Sequence, residues 1–386
     1  MKITTAITNC QVVLETGILW DATLLLADDK IAAYGAMKDV EIPEGAKVID
    51  AKGKYVGPGF VDLHVHGGGG YSTCYHPVEA AEFFLKHGTT SLLSTPDYHM
   101  NLETYNQVIK TVKEAMPKAK TIKGFYMEGP YTNPLYGSHS ATNPWRFGIE
   151  PEEYEPLVDE LGDLALVWTI APEREGIADF VEYARKVNPK TVIALGHTIS
   201  TTEEIIALEK FKPTLLTHAM CATKKKLKDG PGVRSTGVDE YALQNDEMYT
   251  ELISDSCGIH VNKEMQQLMI HYKGYNKVVL VTDSTIHNNP TPEHLSHVKD
   301  LNFDPHGGIA GSKMTMDIAC RNIMTHTRAG ITEAFLMASR NPARVIGLDN
   351  EIGTIAVGKT ADLVIVDDKF NVDTVILGGE VQNFDN

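Results

Sequence analysis

The sequence predicts an α/β protein: a (β/α)8 TIM-type barrel with a small discontinuous β-sandwich domain formed by the two ends of the chain. Three observations predict this fold. Apolar strand-like runs alternate with helical patterns in the middle, both ends are rich in short strands, and histidines and carboxylates follow several apolar runs. The 386 residues suit a large barrel with a minor lobe. We expect the barrel to span residues 55–345 and the small domain to comprise residues 1–54 and 346–386.

The two chain ends share a strand-rich pattern that the middle lacks. Near the N-terminus, β-rich runs cover residues 5–14, 19–26 and 30–34, and turn signals such as Glu15-Thr16-Gly17 separate them. After about residue 345 similar runs return at 361–366 and 372–377. We therefore predict that the two ends pair in one unit.

The middle of the chain alternates between strand-like and helical segments. Helical patterns fall between the apolar runs, and Thr201-Thr202-Glu203-Glu204 resembles a capping box before one of them. Such alternation is typical of parallel strands joined by helices. The predicted strands are 55–66, 91–95, 121–128, 165–171, 191–197, 214–218, 250–256 and 277–283, and the predicted helices include 77–87, 102–115, 177–187, 202–211 and 263–271.

Composition excludes some classes of partner. Lys and Arg total 35 and Asp and Glu 51, and a net charge of −16 argues against a nucleic-acid partner. No run of about 18 apolar residues predicts a membrane span, and we expect no membrane partner. The five cysteines form no CxxC pair and are odd in number, which indicates a reducing compartment, so we expect a cytoplasmic protein.

The segment around His64-Val65-His66 is the first candidate for chemistry. It follows an apolar run and precedes four glycines, residues 67–70. In an extended strand the two imidazoles share one face, where they can hold one divalent cation. A His-x-His alone is more often a pair of surface histidines, so the prediction depends on the rest of the chain.

Further histidines and carboxylates stand at the ends of the other predicted strands. In a barrel of this type the carboxyl ends of the strands meet at one mouth, where active sites lie. Nitrogen and oxygen ligands suit Zn, Fe, Mn or Co, which the sequence does not rank. Beyond His64 and His66, the candidates are Glu128, His197, His218, Asp255 with His260, and Asp283.

These motifs resemble the amidohydrolase superfamily and, within it, the N-acetylglucosamine-6-phosphate deacetylase family. The resemblance spans nearly the whole chain in family order. It is carried by His64-Val-His66-Gly, Glu128-Gly-Pro130, Gly196-His197-Thr198, Thr217-His218-Ala219, Thr282-Asp283-Ser284, Gly308-Ile309-Ala310-Gly311-Ser312 and Asn341-Pro342-Ala343-Arg344.

The resemblance implies roles for particular residues. Glu128, His197 and His218 match the family's metal ligands, and His64 and His66 match the pair that holds a second metal. Asp283 matches the general base and acid beside the metals and is counted with the metal ligands. His139 matches the histidine that polarises the substrate carbonyl. The substrate-binding positions are His139, Cys221, Ala222, His260, Ile309 and Arg234. By the same analogy we expect two divalent ions, a small N-acetylated substrate and a homodimer.

The sequence departs from the family at its sugar-phosphate motifs. Cys221 stands where the family has Asn, and Lys228-Asp229-Gly230-Pro231-Gly232 replaces Arg-Glu-Pro-Gly. Loss of a bidentate Arg removes the best phosphate fork, although Lys224–226, Lys228 or Arg234 could supply charge. The first hypothesis is deacetylation of an N-acetylated amino sugar such as N-acetylglucosamine-6-phosphate. The alternatives are hydrolysis of an N-acyl amino acid, a cyclic amide or a differently configured or unphosphorylated amino sugar, and a non-catalytic binding barrel.

Overall fold

The computed structural model describes residues 2–136, 143–223 and 236–384. Its strands, numbered along the chain, are β1 (Thr5–Leu14), β2 (Gly17–Ala27), β3 (Lys30–Ala36), β4 (Lys47–Asp50), β5 (Tyr55–Pro58), β6 (Phe60–Val65), β7 (Gly67–Gly68), β8 (Tyr71–Ser72), β9 (Thr89–Ser94), β10 (Ile122–Met127), β11 (Ala165–Ile170), β12 (Val192–Leu195), β13 (Leu215–Leu216), β14 (Tyr249–Leu252), β15 (Val278–Leu280), β16 (Leu301–Phe303), β17 (Ile309–Ser312), β18 (Leu363–Val366), β19 (Val372–Leu377) and β20 (Glu380–Val381).

The helices follow the predicted pattern closely. Two of them have the predicted bounds, and the predicted capping box is present: Thr201 Oγ1 accepts from the Glu204 N–H while Glu204 Oε2 accepts from the Thr201 N–H. They are α1 (Pro77–Lys86), α2 (Leu102–Ala115), α3 (Pro151–Leu161), α4 (Ile177–Val187), α5 (Thr202–Ile206), α6 (Val238–Gln244), α7 (Lys263–Lys273), α8 (Met316–His326), α9 (Ile331–Phe335) and α10 (Asn341–Val345), with a π-helical turn Leu336–Arg340 joining the last two.

The predicted barrel is confirmed. One sheet holds eight parallel strands in the order β6-β9-β10-β11-β12-β13-β14-β15. The segments that follow the first and last strands of this order, β6 and β15, are joined at Ser284: the backbone N–H groups of His66 and Gly67 both donate to the Ser284 carbonyl. The Asp283 N–H likewise donates to the His64 carbonyl. The carboxyl ends of the first and last strands are therefore held together directly at the mouth.

The chain ends share a second sheet, in the order β20-β19-β18-β5-β1-β2-β3, with β4 paired to β1. The pairing of the two ends is thus as predicted. These strands form one sheet, so the two-layer β-sandwich and its boundaries remain predictions.

One predicted strand, residues 55–66, is divided between the two sheets. We expected residues 55–66 to be a single barrel strand, but β5 belongs to the terminal sheet, where Pro58 pairs with Leu363. The break falls at Gly59, whose N–H donates to the Asp362 carbonyl. A Cβ on Gly59 would lie 2.1 Å from Thr90 Oγ1, so only glycine allows this close passage.

An aromatic cluster joins the barrel to the terminal sheet. Phe60 begins β6 and is fully buried, with its ring centroid 5.7 Å from that of Phe335 and 6.2 Å from that of Phe370. Offset aromatic contacts of this kind add to the free energy of burial. The first barrel strand is therefore packed against a helix near the end of the barrel and a loop of the terminal sheet.

Two short hairpins lie near the barrel mouth, β7–β8 after the first strand and β16–β17 after the last. The second hairpin is tied to the last strand, because the Ser312 N–H donates to the Asp283 carbonyl and the Thr285 N–H to the Ser312 carbonyl. Within the described ranges, the helices are all too short or too polar to cross a bilayer.

Candidate active site

Glu128 is the centre around which the strand-end side chains converge. It directly follows β10 and is almost fully buried. Its Oε1 lies 2.8 Å from Nε2 of His197 and 3.0 Å from Nε2 of His218, and those two nitrogens are 3.0 Å apart. The segments that follow β12 and β13 thus place two imidazoles beside one oxygen of the Glu128 carboxylate.

The other oxygen of Glu128 faces the His-x-His pair. Glu128 Oε2 lies 3.2 Å from Nε2 of His66 and 3.5 Å from Nε2 of His64. Asp283, from the end of the last strand, places Oδ1 3.4 Å from His66 Nε2 and 3.8 Å from His64 Nε2. The two histidines therefore point to the same side, as the strand alternation predicts.

Three of these residues have strained backbones. His197, His218 and Asp283 have φ values of +47°, +23° and +46°. Non-glycine residues rarely adopt this left-handed region, and each instance costs on the order of 1–3 kcal/mol. Each lies just beyond its strand, where the strained turn directs its side chain to the mouth.

Carboxylates and imidazoles of this cluster lie close enough to shift one another's pKa values. Burial alone would raise the pKa of Glu128, but the surrounding imidazoles, His64 above all, outweigh it and hold that pKa well below its ordinary value. Burial alone would lower the pKa of His66, but its contacts with Asp283 and Glu128 raise it to about 10. Burial of Asp283 is likewise outweighed, chiefly by His66, so its pKa is lowered. The cluster stabilises negative carboxylates through nearby positive charge.

The donor set fits a divalent metal ion. Ligand atoms of His64, Glu128 and His218 lie within 4.8 Å of one another, and so do those of His64, His66 and Asp283. Nε2 of His64 is buried and has no hydrogen-bond partner among the described residues. Imidazole nitrogens and carboxylate oxygens that meet without thiolates suit Zn²⁺, Fe²⁺, Mn²⁺ or Co²⁺. These residues could therefore hold one or two such ions.

A cavity of about 540 Å³ opens over this cluster. Its lining includes five of the candidate ligands, His66, Glu128, His197, His218 and Asp283, but not His64. It also includes four of the predicted substrate positions: Cys221, Ala222, His260 and Ile309. A volume of this size accommodates a small-molecule substrate. Among the described lining residues there is no Lys or Arg.

The wall that carries His260 is organised by Asp255. Asp255 accepts hydrogen bonds from the backbone N–H groups of Cys257, Ile259 and His260, at 2.8–3.1 Å, and its Oδ2 lies 3.7 Å from His260 Nδ1. Cys221 Sγ donates to the His260 carbonyl at 3.4 Å. Burial raises the pKa of the Cys221 thiol far above its ordinary value. Its hydrogen bond links the segments that follow β13 and β14.

Two predicted site residues, His139 and Arg234, lie outside the described ranges. Two carboxyl groups at the site, those of Glu251 and Asp97, were not predicted from the sequence. Glu251 lies within β14, fully buried, 3.5 Å from His64 Nδ1, and Asp97 Oδ1 lies 3.5 Å from His66 Nδ1. The available signal for Glu251 was a carboxylate inside an apolar strand.

A parallel barrel with histidines and carboxylates converging at its carboxyl mouth defines a metal-dependent hydrolase of the barrel type. The chain belongs to the Amidohydrolase family, whose model matches residues 55–381. It is therefore a hydrolase that acts on carbon–nitrogen bonds, and the family is metal-dependent.

Curated relatives and a solved structure match nearly the whole chain. N-acetylglucosamine-6-phosphate deacetylase of Haemophilus influenzae is 28% identical and covers 97% of this chain and 98% of its own. N-acetylgalactosamine-6-phosphate deacetylase of Escherichia coli O157:H7 is 26% identical, covering 96% and 97%. The crystal structure of N-acetylglucosamine-6-phosphate deacetylase from Pasteurella multocida superposes with a TM-score of 0.82 at 28% identity, covering 98% and 99%.

Proposed function

We propose that this protein removes the acetyl group of an N-acetylated amino sugar such as N-acetylglucosamine-6-phosphate, giving acetate and the amino sugar. The observation that carries the proposal is the position of Glu128 between two groups of imidazoles, with Asp283 beside it on a substrate-sized cavity. The named relatives, matched over nearly their full length, support the choice of an amino-sugar substrate.

The proposed ligands are His64, His66, Glu128, His197 and His218, with Asp283 as a further ligand. Because the two oxygens of Glu128 face different histidines, we propose that Glu128 would help to hold an ion beside His197 and His218 and another beside His64 and His66, so that the site would take two divalent ions. When bound, such an ion lowers the pKa of its water from about 15.7 toward about 7.

Asp283 performs the proton transfers in this proposal. Its Oδ1 lies beside the His64–His66 pair, so its carboxylate can take a proton as the water oxygen bonds to the amide carbonyl carbon. His139 is proposed to donate to the resulting oxyanion. Asp283 then returns the proton to the amide nitrogen as the C–N bond breaks, so that the products are acetate and a free amine.

The proposed substrate positions are His139, Cys221, Ala222, His260, Ile309 and Arg234. Cys221 provides no amide donor at the family's Asn position, and the described cavity wall lacks Lys and Arg. This favours a second candidate, an unphosphorylated or differently configured amino sugar or another N-acyl substrate. The first candidate needs positive charge for the phosphate, which the sequence offers in Lys224–226, Lys228 and Arg234.

Finer features of the assembly are also proposed. The strand pairing of both ends supports a small β-sandwich domain of residues 1–54 and 346–386 beside a barrel of residues 55–345. Family analogy supports a homodimer, and the cysteine pattern supports a cytoplasmic location.

Acetate release tests the proposal. The purified protein, loaded with Zn²⁺ or Mn²⁺, is assayed on N-acetylglucosamine, its 6-phosphate, N-acetylgalactosamine-6-phosphate and an N-acetyl amino acid. We expect the amino sugars to be hydrolysed and the Asp283→Asn variant to lose at least about 100-fold in rate while it keeps its fold. Hydrolysis of the amino acid alone would favour the second candidate. No hydrolysis of any compound would overturn the deacetylase assignment, and full activity of Asp283→Asn would overturn the role given to Asp283.

A further inference from the structure

Glu251 contacts His64 and His218, on opposite sides of Glu128, although it does not line the cavity. It is fully buried in β14, and it is absent from the cavity lining. Its Oε2 accepts a hydrogen bond from the backbone N–H of His218 at 3.0 Å and lies 3.5 Å from Nδ1 of His64. One side-chain oxygen therefore links a histidine of the His-x-His pair to the backbone of a histidine on the other side of Glu128.

The contact with His64 fixes which ring nitrogen is free. A carboxyl oxygen at Nδ1 selects the tautomer with hydrogen on Nδ1, which leaves the lone pair on Nε2. That Nε2 is buried, forms no hydrogen bond with the residues that the structure describes, and is directed at Glu128 and Asp283. The ring is also stacked on Tyr126, with centroids 4.4 Å apart, so its plane is fixed as well.

The second histidine of the pair, His66, is supported by a more exposed carboxylate. Asp97 lies 3.5 Å from His66 Nδ1, but its side chain is 41% exposed, and His66 Nδ1 forms no hydrogen bond among the described residues. Water screens an exposed carboxylate, so this contact orders the imidazole less strongly. Glu251 and Asp97 therefore support the pair unequally.

We infer that Glu251 is a positioning residue that holds His64 in the tautomer and orientation needed to bind the ion of the His64–His66 side. The inference rests on the proposed metal binding. A partner on the far nitrogen of a ligating histidine typically changes metal affinity by about 10- to 100-fold. Removing Glu251 should therefore reduce mainly the affinity for the ion on the His64–His66 side, because at His218 the Glu251 carboxylate accepts from the backbone N–H.

The test is Zn²⁺ binding by the metal-free full-length protein, measured by competition with a chromophoric chelator. The variants are Glu251→Ala, Glu251→Gln and the matched control Thr250→Val, which alters the neighbouring buried residue of the same strand. We expect two ions in the wild type and in Thr250→Val. In Glu251→Ala we expect one ion bound about as tightly and the other about 10- to 100-fold more weakly. The affinity of Glu251→Gln for this second ion should lie between those of the wild type and Glu251→Ala, because its amide oxygen still accepts a hydrogen bond but carries no charge.

Circular dichroism of the metal-free variants reports whether each is folded. If Glu251→Ala is unfolded, the Zn²⁺ affinity of Glu251→Gln alone tests the inference. Two ions bound with wild-type affinity in the folded Glu251 variants would overturn the inference, and so would equal weakening of both ions. These outcomes differ from failure of the proposed function, in which the wild type itself binds no Zn²⁺.

Discussion

Gly311→Ala is a direct test of how the position of Asp283 depends on the hairpin after the last barrel strand. Gly311 has a φ of +71°, and a Cβ at this position would lie 2.4 Å from the Asp283 carbonyl oxygen. Ordinary van der Waals contact begins at 3.4 Å, so the backbone must separate by roughly 1 Å (3.4 − 2.4). The same carbonyl accepts the Ser312 N–H at 2.8 Å, and this hydrogen bond is strained with it.

A displacement of about 1 Å at a catalytic group costs on the order of 100-fold in rate, or about 2.7 kcal/mol of transition-state stabilisation. We therefore expect kcat/KM for acetate release by Gly311→Ala to fall about 100-fold. The matched control is Gly307→Ala in the same hairpin: its φ is +81°, but its Cβ would meet only Pro292 Cγ at 3.4 Å. Both variants bear left-handed strain of roughly 1–2 kcal/mol, whereas only the first displaces Asp283. Equal activity of the two variants would refute the reasoning.

Two further predictions concern stability. Phe60→Ala removes a fully buried ring that packs against Phe335 and Phe370. The free energy of unfolding, measured in urea, should therefore fall by about 3–5 kcal/mol, and by less in Phe60→Leu. A loss under about 1 kcal/mol in Phe60→Ala would contradict the packing described. Burial lowers the pKa of Lys273 from 10.5 to about 8, although its Nζ donates to the carbonyls of Ala242 and Asn245. Between these two values the unfolded chain holds a proton that the folded chain has released, so wild-type stability relative to Lys273→Met should rise as pH increases from about 8 to 10, measured by urea unfolding; a flat or falling difference would show that this lysine is not desolvated.

The barrel and the convergence of the candidate metal ligands could be predicted from the sequence because both follow from local patterns. Strand alternation places His64 and His66 on one side, and the carboxyl ends of parallel strands share one mouth, so Glu128, His197 and Asp283 meet there. No tertiary detail was needed for these predictions.

What the sequence did not reveal depends on contacts between distant segments. Glu251 lies inside a strand rather than at its end, so its approach to His64 depends on the relative heights of β6 and β14 in the barrel. The division of residues 55–66 into two strands likewise depends on β18, more than 300 residues away, which pairs with β5. Asp97 follows β9 in a loop whose direction no local pattern determines.

The pairing of β5 with β18 also has a consequence for biosynthesis. Pro58 and its partner Leu363 are 305 positions apart (363 − 58), so a nascent chain can complete the barrel strands before β18 joins the terminal sheet. Until then β5 presents an open edge to its surroundings, and open edges invite pairing with other chains. A message truncated after the barrel would therefore yield a polypeptide with every metal-ligand candidate named above, yet one prone to aggregate before it could act.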